Sequence, residues 1–258
     1  MLNIYLQQQI KELYVDQKQS IHKVGEKLNV SGNTISRWLK ELGIPIRNNP
    51  RRFSSIPGLS EIQKEFVVGS LLGDGNLHYR SGNRSTSCRL RFCHSIKQIE
   101  YLIWKKSLLG DLAQQDLNIN RQKGRNSTAC VIQSITHSDF INYYNVFYYD
   151  GTKVIPGNIE EMLTDFGLAI WFMDDGWRDR ECRKAIFCTD SFTLSENEIL
   201  QDALLSKFNI RTRITKSGKK HHRLHVYGDN VDILTEIIKP HIIPSMLYKI
   251  NDDIVRTL

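Results

Sequence analysis

The chain has 258 residues, 40% of them apolar and 24% charged, which allows a packed core and excludes wholesale disorder. No apolar run approaches the roughly eighteen residues that span a bilayer, which excludes a membrane helix. Residues 1–9 lack the basic start and apolar stretch of a secretory signal. We therefore expect a soluble protein without a membrane partner.

Positive charge is concentrated near the N-terminus. The chain carries 35 Lys and Arg against 28 Asp and Glu, a net charge of +7. Residues 1–58 hold nine basic and four acidic side chains, whereas residues 59–258 have a net charge of only +2. A basic front end indicates a polyanionic partner, and nucleic acid is the first candidate.

The cysteine pattern argues against a disulfide framework. The five cysteines are an odd number and contain no C-x-x-C pair; they are Cys88, Cys93, Cys130, Cys182 and Cys188. We interpret them as free thiols in a reducing compartment, with bacterial or phage-infected cytoplasm and an organelle matrix both left open.

Residues 1–46 are predicted to form a small helical head. Apolar residues recur at helical intervals, Ser20 and Ser31 are predicted N-caps, and residues 29–32 form a tight turn. Two helices around such a turn are typical of a helix-turn-helix, whose second helix enters the major groove. That helix would present Asn33, Thr34, Ser36, Arg37 and Lys40 to DNA. The alternative is a three-helix bundle that pads the protein or binds another protein.

Residues 47–59 are predicted to be a basic linker. The segment is rich in Pro, Ser and Asn and contains Arg51 and Arg52 without an acidic residue. Such a strand could follow phosphates or lie in a minor groove, and a solvated spacer is an equally good reading.

The body of the chain is internally repeated. Ser60 opens an apolar helix that ends at Asp74-Gly75, and Thr164 opens a second that ends at Asp175-Gly176. The same elements follow in each half. They are two β-like segments (78–94 and 178–190), a helix (95–108 and 194–208), a basic hairpin (118–135 and 211–227) and another helix (138–147 and 230–238). The pattern predicts an α+β fold of two pseudo-twofold-related αββαββα units, residues 60–157 and 158–258, forming a saddle of antiparallel sheets.

The predicted strands carry nearly all the excess positive charge of the body. Segments 76–93, 118–134, 178–188 and 211–227 contain 17 Lys and Arg and only two acids. Sheets this basic are expected to face a polyanion, and paired antiparallel sheets can lie in a duplex groove. The candidate DNA-binding residues are Arg80, Arg84, Arg89, Arg91, Arg121, Lys123, Arg125, Arg178, Arg180, Arg183, Lys184, Arg211, Arg213, Lys216, Lys219, Lys220 and Arg223.

The two Asp-Gly ends are the predicted chemical centres. An Asp in the last turn of a helix meets the negative end of the helix dipole, so Asp74 and Asp175 are unfavourable without a cation. If the two apolar helices pack together, both carboxylates approach each other. A hard divalent ion, Mg²⁺ by expectation, suits carboxylate oxygens and can act on phosphates.

These motifs resemble those of the single-chain, two-motif LAGLIDADG homing endonucleases, which include intron-encoded enzymes of yeast mitochondria. The resemblance lies in VVGSLLGDG (67–75), LAIWFMDDG (168–176), CTDSFT (188–193) and residues 238–249. It implies that Asp74 and Asp175 bind the metal, and that Lys153 and Lys249, which close the two repeats beside an Ile-Pro, polarise solvent at the scissile phosphates. It also implies strands that read the major groove and cuts across the minor groove that leave short 3′ overhangs.

The resemblance is not complete. Ile170 stands where the second motif normally has a glycine, and Arg91 stands where relatives often carry a polar amide. The helix-turn-helix head lies outside the family pattern and resembles added DNA-reading modules.

We therefore expect a monomeric, Mg²⁺-dependent endonuclease that cuts both strands of a long asymmetric site in double-stranded DNA. A non-cleaving DNA-binding regulator on the same scaffold and an RNA maturase that aids intron splicing, with intron RNA as partner, are the alternatives. A glycoside hydrolase is disfavoured by the basic strands. Zinc sites built from Cys88, Cys93 and His94, or from His221, His222 and His225, lack a recognised ligand spacing.

Overall fold

A computed structural model describes residues 4–46, 57–79, 88–113, 118–121, 128–179, 183–218 and 221–250. The chain forms two compact units, Met1–Ser55 and Ile56–Leu258. Each helix in the described ranges is too short or too polar to reach across a lipid bilayer.

The N-terminal unit is helical throughout its described part. Helix α1 (Ile4–Lys11) runs into a π-helical turn (Glu12–Asp16), and α2 (Ile21–Lys27) and α3 (Gly32–Glu41) follow. The predicted caps are confirmed, because the side chains of Ser20 and Ser31 accept hydrogen bonds from Lys23 N and Thr34 N. Five buried residues form its core: Ile10, Tyr14, Val24, Ile35 and Leu39.

The first half of the larger unit begins with α4 (Glu61–Leu72), which opens on the predicted capping box of Ser60 and Gln63. The elements that follow are β1 (Asn76–Tyr79), β2 (Cys88–Ser95), α5 (Ile99–Leu109), β3 (Asn118–Arg121), β4 (Thr128–Gln133), α6 (Asp139–Phe147), β5 (Tyr148–Tyr149) and β6 (Thr152–Lys153). Short 3₁₀ turns, Ile96–Gln98 and Gly110–Leu112, flank α5.

The second half repeats this order after a short helix, α7 (Ile159–Met162). Its elements are α8 (Asp165–Asp175), β7 (Gly176–Asp179), β8 (Lys184–Phe187), α9 (Leu194–Phe208), β9 (Thr212–Ser217), β10 (His221–Tyr227) and α10 (Asp229–Ile238), followed by 3₁₀ turns Lys239–His241 and Pro244–Lys249. Thr164 caps α8 as predicted, by accepting from Gly167 N.

The sheets confirm the duplication predicted from the sequence. Both are antiparallel, with strand orders β1–β2–β4–β3 and β7–β8–β10–β9. Asn76, the residue after the first Asp-Gly junction, pairs with Arg91, and Trp177, the residue after the second, pairs with Ile186. The strands therefore leave the same end of each motif helix, so the two Asp-Gly junctions occupy equivalent positions in the two sheets.

Helices α4 and α8 pack directly on each other, and we call this contact the helix seam. A Cβ atom on Gly69 would lie 2.3 Å from Gly167 O and 2.8 Å from the Cβ of Ile170. A Cβ on Gly73 would lie 2.5 Å from the Cβ of Asp174. The seam is therefore asymmetric, since glycines of α4 accept larger residues of α8.

Two elements had not been predicted from the sequence, the short helix α7 and the β5–β6 hairpin. The hairpin turns at Asp150 and Gly151, whose φ angles are 46° and 75°. Such a turn needs positive φ at both central residues, which is why an Asp-Gly pair is typical of it. The hairpin delivers Lys153 to the Asp74 end of α4.

Candidate active site

The C-terminal ends of the two motif helices bring three carboxylates together. Asp74 follows α4, while Asp174 and Asp175 end α8. Burial, together with the charges of Asp74 and Asp174, raises the pKa of Asp175 to about 7. Burial and the charge of Asp174 also raise the pKa of Asp74. The sequence prediction that Asp74 and Asp175 approach each other agrees with this coupling.

Each predicted lysine lies against one helix end. The Nζ of Lys153 donates to the carbonyl oxygens of Gly73 (3.1 Å) and Gly75 (2.7 Å), which flank Asp74. The Nζ of Lys249 donates to the carbonyl oxygens of Gly176 (2.6 Å) and Asp174 (3.5 Å), which flank Asp175. In each half, therefore, a lysine ammonium group lies at the negative end of the motif helix and neutralises it.

The ammonium of Lys153 is itself perturbed. Burial lowers the pKa of Lys153 to about 8, against the opposing effect of the three carboxylates. A lysine with a pKa near neutrality can exchange a proton with solvent.

A buried group of side chains beside Asp74 was missed by the sequence analysis. Lys105 Nζ lies 2.6 and 2.8 Å from the two carboxylate oxygens of Asp174, and Tyr101 Oη donates to the same group at 2.7 Å. His94 Nε2 lies 3.3 Å from Lys105 Nζ. We call Asp174, Tyr101, Lys105 and His94 the Asp174 cluster.

Two local signals pointed to the Asp174 cluster. The second motif contains an extra acid, Asp174, at the position where the first has Gly73, and Lys105 interrupts an apolar helical run. Neither signal shows that the residues meet, because they are 69 positions apart.

Asp74, His94 and Asp174 place ligand atoms within 4.8 Å of one another and so could hold a metal ion. Lys105, however, already supplies a cation to Asp174. Burial and the charge of Lys105 lower the pKa of His94 to about 4, so the ring is neutral at pH 7. Asp74 and Asp175 therefore remain the acids better suited to a divalent cation.

The cysteine–histidine zinc set considered from the sequence does not share one face of the sheet. Strand β2 alternates, so that Cys88 and His94 are buried whereas Cys93 is exposed on the opposite side. The structure does not bring these three residues together.

Several predicted DNA-binding residues lie on the outer faces of the sheets. In the second sheet Lys184, Arg213 and Arg223 alternate with core residues. Arg223 also pairs with Asp190 through two contacts of 2.9 and 2.7 Å.

In the first sheet Arg89 and Arg91 lie on the face opposite Leu90 and Phe92. Arg89 donates to Gln133 at 3.1 Å. Among the described residues no group accepts from the buried Nε of Arg91.

Other predicted DNA-binding residues are engaged within the protein or lie elsewhere. Arg183 pairs with Asp229 and Asp232 of α10, and Arg178 donates to the carbonyl oxygen of Ile250. Lys216 lies on β9 opposite His222, Arg211 precedes that strand, and Arg121 ends β3. Arg51, Arg52, Arg80, Arg84, Lys123, Arg125, Arg180, Lys219 and Lys220 lie outside the described residues.

In the N-terminal unit, helix α3 exposes Asn33, Arg37 and Lys40, while Ile35 and Leu39 face the core. Thr34 and Ser36 are half-buried on the same helix. Arg37 lies 3.9 Å from Glu41, a solvent-exposed pair that leaves the guanidinium accessible.

Comparison with known proteins agrees with this geometry. The model of the LAGLIDADG DNA endonuclease family matches residues 64–234, a range that includes both Asp-Gly junctions and both sheets. The chain belongs to this family. The LAGLIDADG motifs are therefore the two segments that form the helix seam.

Relatives of this LAGLIDADG protein carry names of two kinds. The cytochrome b mRNA maturase bI2 of Debaryomyces hansenii is 33% identical over 86% of this chain and 87% of its own length. That of Saccharomyces cerevisiae is 32% identical over 72% of this chain and 46% of its own length. The DNA endonuclease I-ChuI of Chlamydomonas applanata is 29% identical over 75% of this chain and 96% of its own length.

The LAGLIDADG fold is also evident from solved structures. The homing endonuclease I-WcaI, bound to its DNA recognition sequence, superposes with a TM-score of 0.74 at 23% identity, over 83% of this chain and 98% of that one. The chain thus shares its mixed helical and antiparallel-sheet architecture with a homing endonuclease.

Proposed function

We propose that this protein is a Mg²⁺-dependent, site-specific endonuclease that hydrolyses both strands of a long asymmetric site in double-stranded DNA. The observation that carries the proposal is the paired arrangement at the helix seam. Asp74 and Asp175 end equivalent helices, and each is accompanied by a lysine, Lys153 or Lys249, from its own half.

The carboxylates of Asp74 and Asp175 suit a hard divalent cation. The pKa of each is raised by burial and by neighbouring carboxylates, Asp174 in the case of Asp74, and Asp74 with Asp174 in the case of Asp175. A cation bound beside them would relieve that repulsion. When bound, such a cation would stabilise the charge that develops on a phosphate during hydrolysis.

The remaining residues bind and orient the DNA. Lys153 and Lys249 hold the helix ends in place and would polarise solvent near each scissile phosphate. Arg91 is half-buried on the same face of β2 as Arg89 and would add positive charge to the DNA-facing side of the first sheet. Lys184, Arg213 and Arg223 would follow the backbone along the second sheet.

The N-terminal unit is proposed to extend the DNA contact. We assign residues 1–46 to a helix-turn-helix head, residues 47–59 to a basic linker, and residues 60–157 and 158–258 to the two LAGLIDADG halves. The exposed face of α3 would supply base and phosphate contacts beyond the core site.

A maturase role is the second candidate function, and the names of two relatives favour it. Both bI2 proteins are described as mRNA maturases. The match to the Debaryomyces hansenii protein covers 86% of this chain and 87% of that protein. Basic sheet faces can bind a structured RNA as well as a DNA duplex. A maturase function does not require DNA cleavage, and so does not require Asp74 and Asp175 to bind a metal ion. The two roles can also coexist in one chain.

The acids provide the decisive experiment. If the coding sequence interrupts another gene, a plasmid that carries the rejoined flanks of that gene is incubated with the protein in magnesium buffer. Asp74→Asn and Asp175→Asn are each expected to abolish double-strand cutting while duplex affinity is retained, because each amide removes a charged ligand without removing a basic contact.

Asp165→Asn is the matched control, since Asp165 is an exposed acid at the opposite end of α8. It is expected to cut at the wild-type rate. Full cutting by either active-site variant would refute the assignment. If the wild type binds the host intron RNA and promotes splicing, and the Asp74→Asn and Asp175→Asn variants do so equally well, the maturase role is supported.

A further inference from the structure

Asp174 belongs to the second half of the protein, but its carboxylate is held by the first half. Its side chain is 0% exposed and contacts Lys105 Nζ at 2.6 and 2.8 Å and Tyr101 Oη at 2.7 Å. The same carboxylate accepts a hydrogen bond of 3.2 Å from the backbone N–H of Asp74. Asp174 therefore forms a contact across the helix seam with the backbone of Asp74, the residue that we propose as a metal ligand.

The reciprocal contact is missing. Gly73, the residue equivalent to Asp174 in the first motif, has no side chain, and a Cβ there would collide with Asp174 at 2.5 Å. The strand register makes Thr189 the counterpart of His94, and Thr189 donates to the uncharged Asn197. At this position the second half therefore has a hydroxyl–amide pair in place of the His94 ring.

The charge of Asp174 is balanced inside the protein. Lys105 is fully buried, and its ammonium contacts both oxygens of the carboxylate, so the pair does not require a metal ion. Removing one partner would leave a buried charge without a counter-ion, whereas removing both together would not.

The ring of His94 lies beside the side chain of Asp74. His94 Nδ1 lies 3.6 Å from Asp74 Oδ2, and the opposite ring nitrogen faces Lys105. Asp74 is therefore held through its backbone N–H, and the neutral ring of His94 connects its surroundings to Lys105.

We propose that Asp174 is a positioning residue that the second half supplies to the Asp74 centre, with Lys105 as its buried counter-cation, and that the Asp175 centre lacks such support. The inference rests on the proposed endonuclease function, because it concerns the relative rates at which the two strands are cut. It makes the two centres of one active site unequal.

The test uses a charge-balanced double variant, Lys105→Met with Asp174→Asn, in the full-length protein. With each strand of the duplex labelled separately, we expect one strand to be cut about tenfold or more slowly while the other is nearly unchanged, so that nicked DNA accumulates. A general structural defect would instead slow both strands by the same factor, and that outcome would overturn the proposal.

Glu65→Ala is the matched control for a contact across the seam. Glu65 accepts a hydrogen bond of 2.9 Å from Thr164 at the opposite end of the same helix pair. Its loss is expected to leave the ratio of the two strand rates within twofold of the wild type.

Hydrogen exchange tests the positioning without DNA. Lys105→Met with Asp174→Ala removes both charges and leaves no side-chain acceptor for the Asp74 amide. It is expected to speed exchange of the Asp74 amide more than that of the Asp175 amide; equal exchange at Asp74 in wild type and variant would overturn the inference. A wild-type protein that cuts no duplex would refute the endonuclease instead, so the two failures are distinguishable.

Discussion

At the scale of single residues, the active site is a balance of like and unlike charges. Asp74, Asp174 and Asp175 are enclosed together, and Lys105, Lys153 and Lys249 donate to groups around them. Only Asp174 has a lysine in direct contact with its carboxylate. Asp74 and Asp175 are left with raised pKa values, and this is the state that a divalent cation would change.

The raised pKa of Asp175 predicts how the metal-free protein responds to pH. The folded pKa is about 7 and the unfolded value 3.8, so the folded state binds the proton more tightly between these limits. Protonation of Asp175 therefore stabilises the folded state. This stabilisation is fully present below the unfolded pKa of 3.8 and is lost as the pH rises through the folded pKa of about 7. The lowered pKa of His94, about 4, has the opposite effect up to its usual value of 6.5, so we expect the Tm in chelating buffer to fall between about pH 6.5 and pH 8.

Asp175→Asn should flatten this dependence, because an amide does not titrate. Differential scanning fluorimetry of wild type, Asp175→Asn and Asp165→Asn across this pH range measures the effect. An equal slope in all three proteins would show that Asp175 does not carry the dependence.

At the scale of elements, the helix seam decides where the acids lie. Gly69 and Gly73 remove side chains from one helix at the two positions where Ile170 and Asp174 project from the other. The backbones can therefore approach closely, and both helices end side by side at the Asp-Gly junctions.

Gly69→Ala should destabilise the seam. The new methyl group would lie 2.3 Å from Gly167 O, a backbone atom that can yield only if the helices separate. We expect the free energy of unfolding, measured in urea, to fall by about 1–3 kcal/mol.

Gly157→Ala is the control, because no atom lies within 4 Å of a Cβ built there. Equal stability of Gly69→Ala and the wild type would mean that the helices are not packed as closely as described.

At the scale of the whole molecule, positive charge is divided between two units. The head and linker hold +5 of the net +7, and the basic strands belong to the larger unit. Phosphate contacts from both would add to the salt dependence of duplex binding, because each contact releases counterions.

Removal of residues 1–55 should lower duplex affinity and reduce the salt slope without abolishing cutting, since the motif helices and lysines remain. Fluorescence anisotropy over a range of salt concentrations measures both quantities, and each lost phosphate contact is worth about 0.9 in the slope. A full-length Arg37→Gln, Lys40→Gln protein tests the charge alone. If both proteins bind like the wild type at every salt concentration, the head does not contact DNA.

Local patterns were sufficient to predict most of the fold. Ser60, Thr164 and Ser31 mark helix starts by chemistry that acts within four residues, and the repeat aligned the two Asp-Gly junctions. The Asp174–Lys105 pair could not be predicted in this way. A charged residue in a helix is normally solvated, and only the packing of α5 beneath the seam reveals that Lys105 is buried.

The unequal seam has a consequence for how the two halves could have come from one ancestral gene. A homodimer of first halves would place Gly73 against Gly73 and leave Lys105 buried without its carboxylate. A homodimer of second halves would oppose Ile170 to Ile170 and Asp174 to Asp174, which combines a steric clash with like-charge repulsion. Each half has become a partner that accepts the other and rejects a copy of itself, so the fusion is irreversible without compensating mutations on both sides.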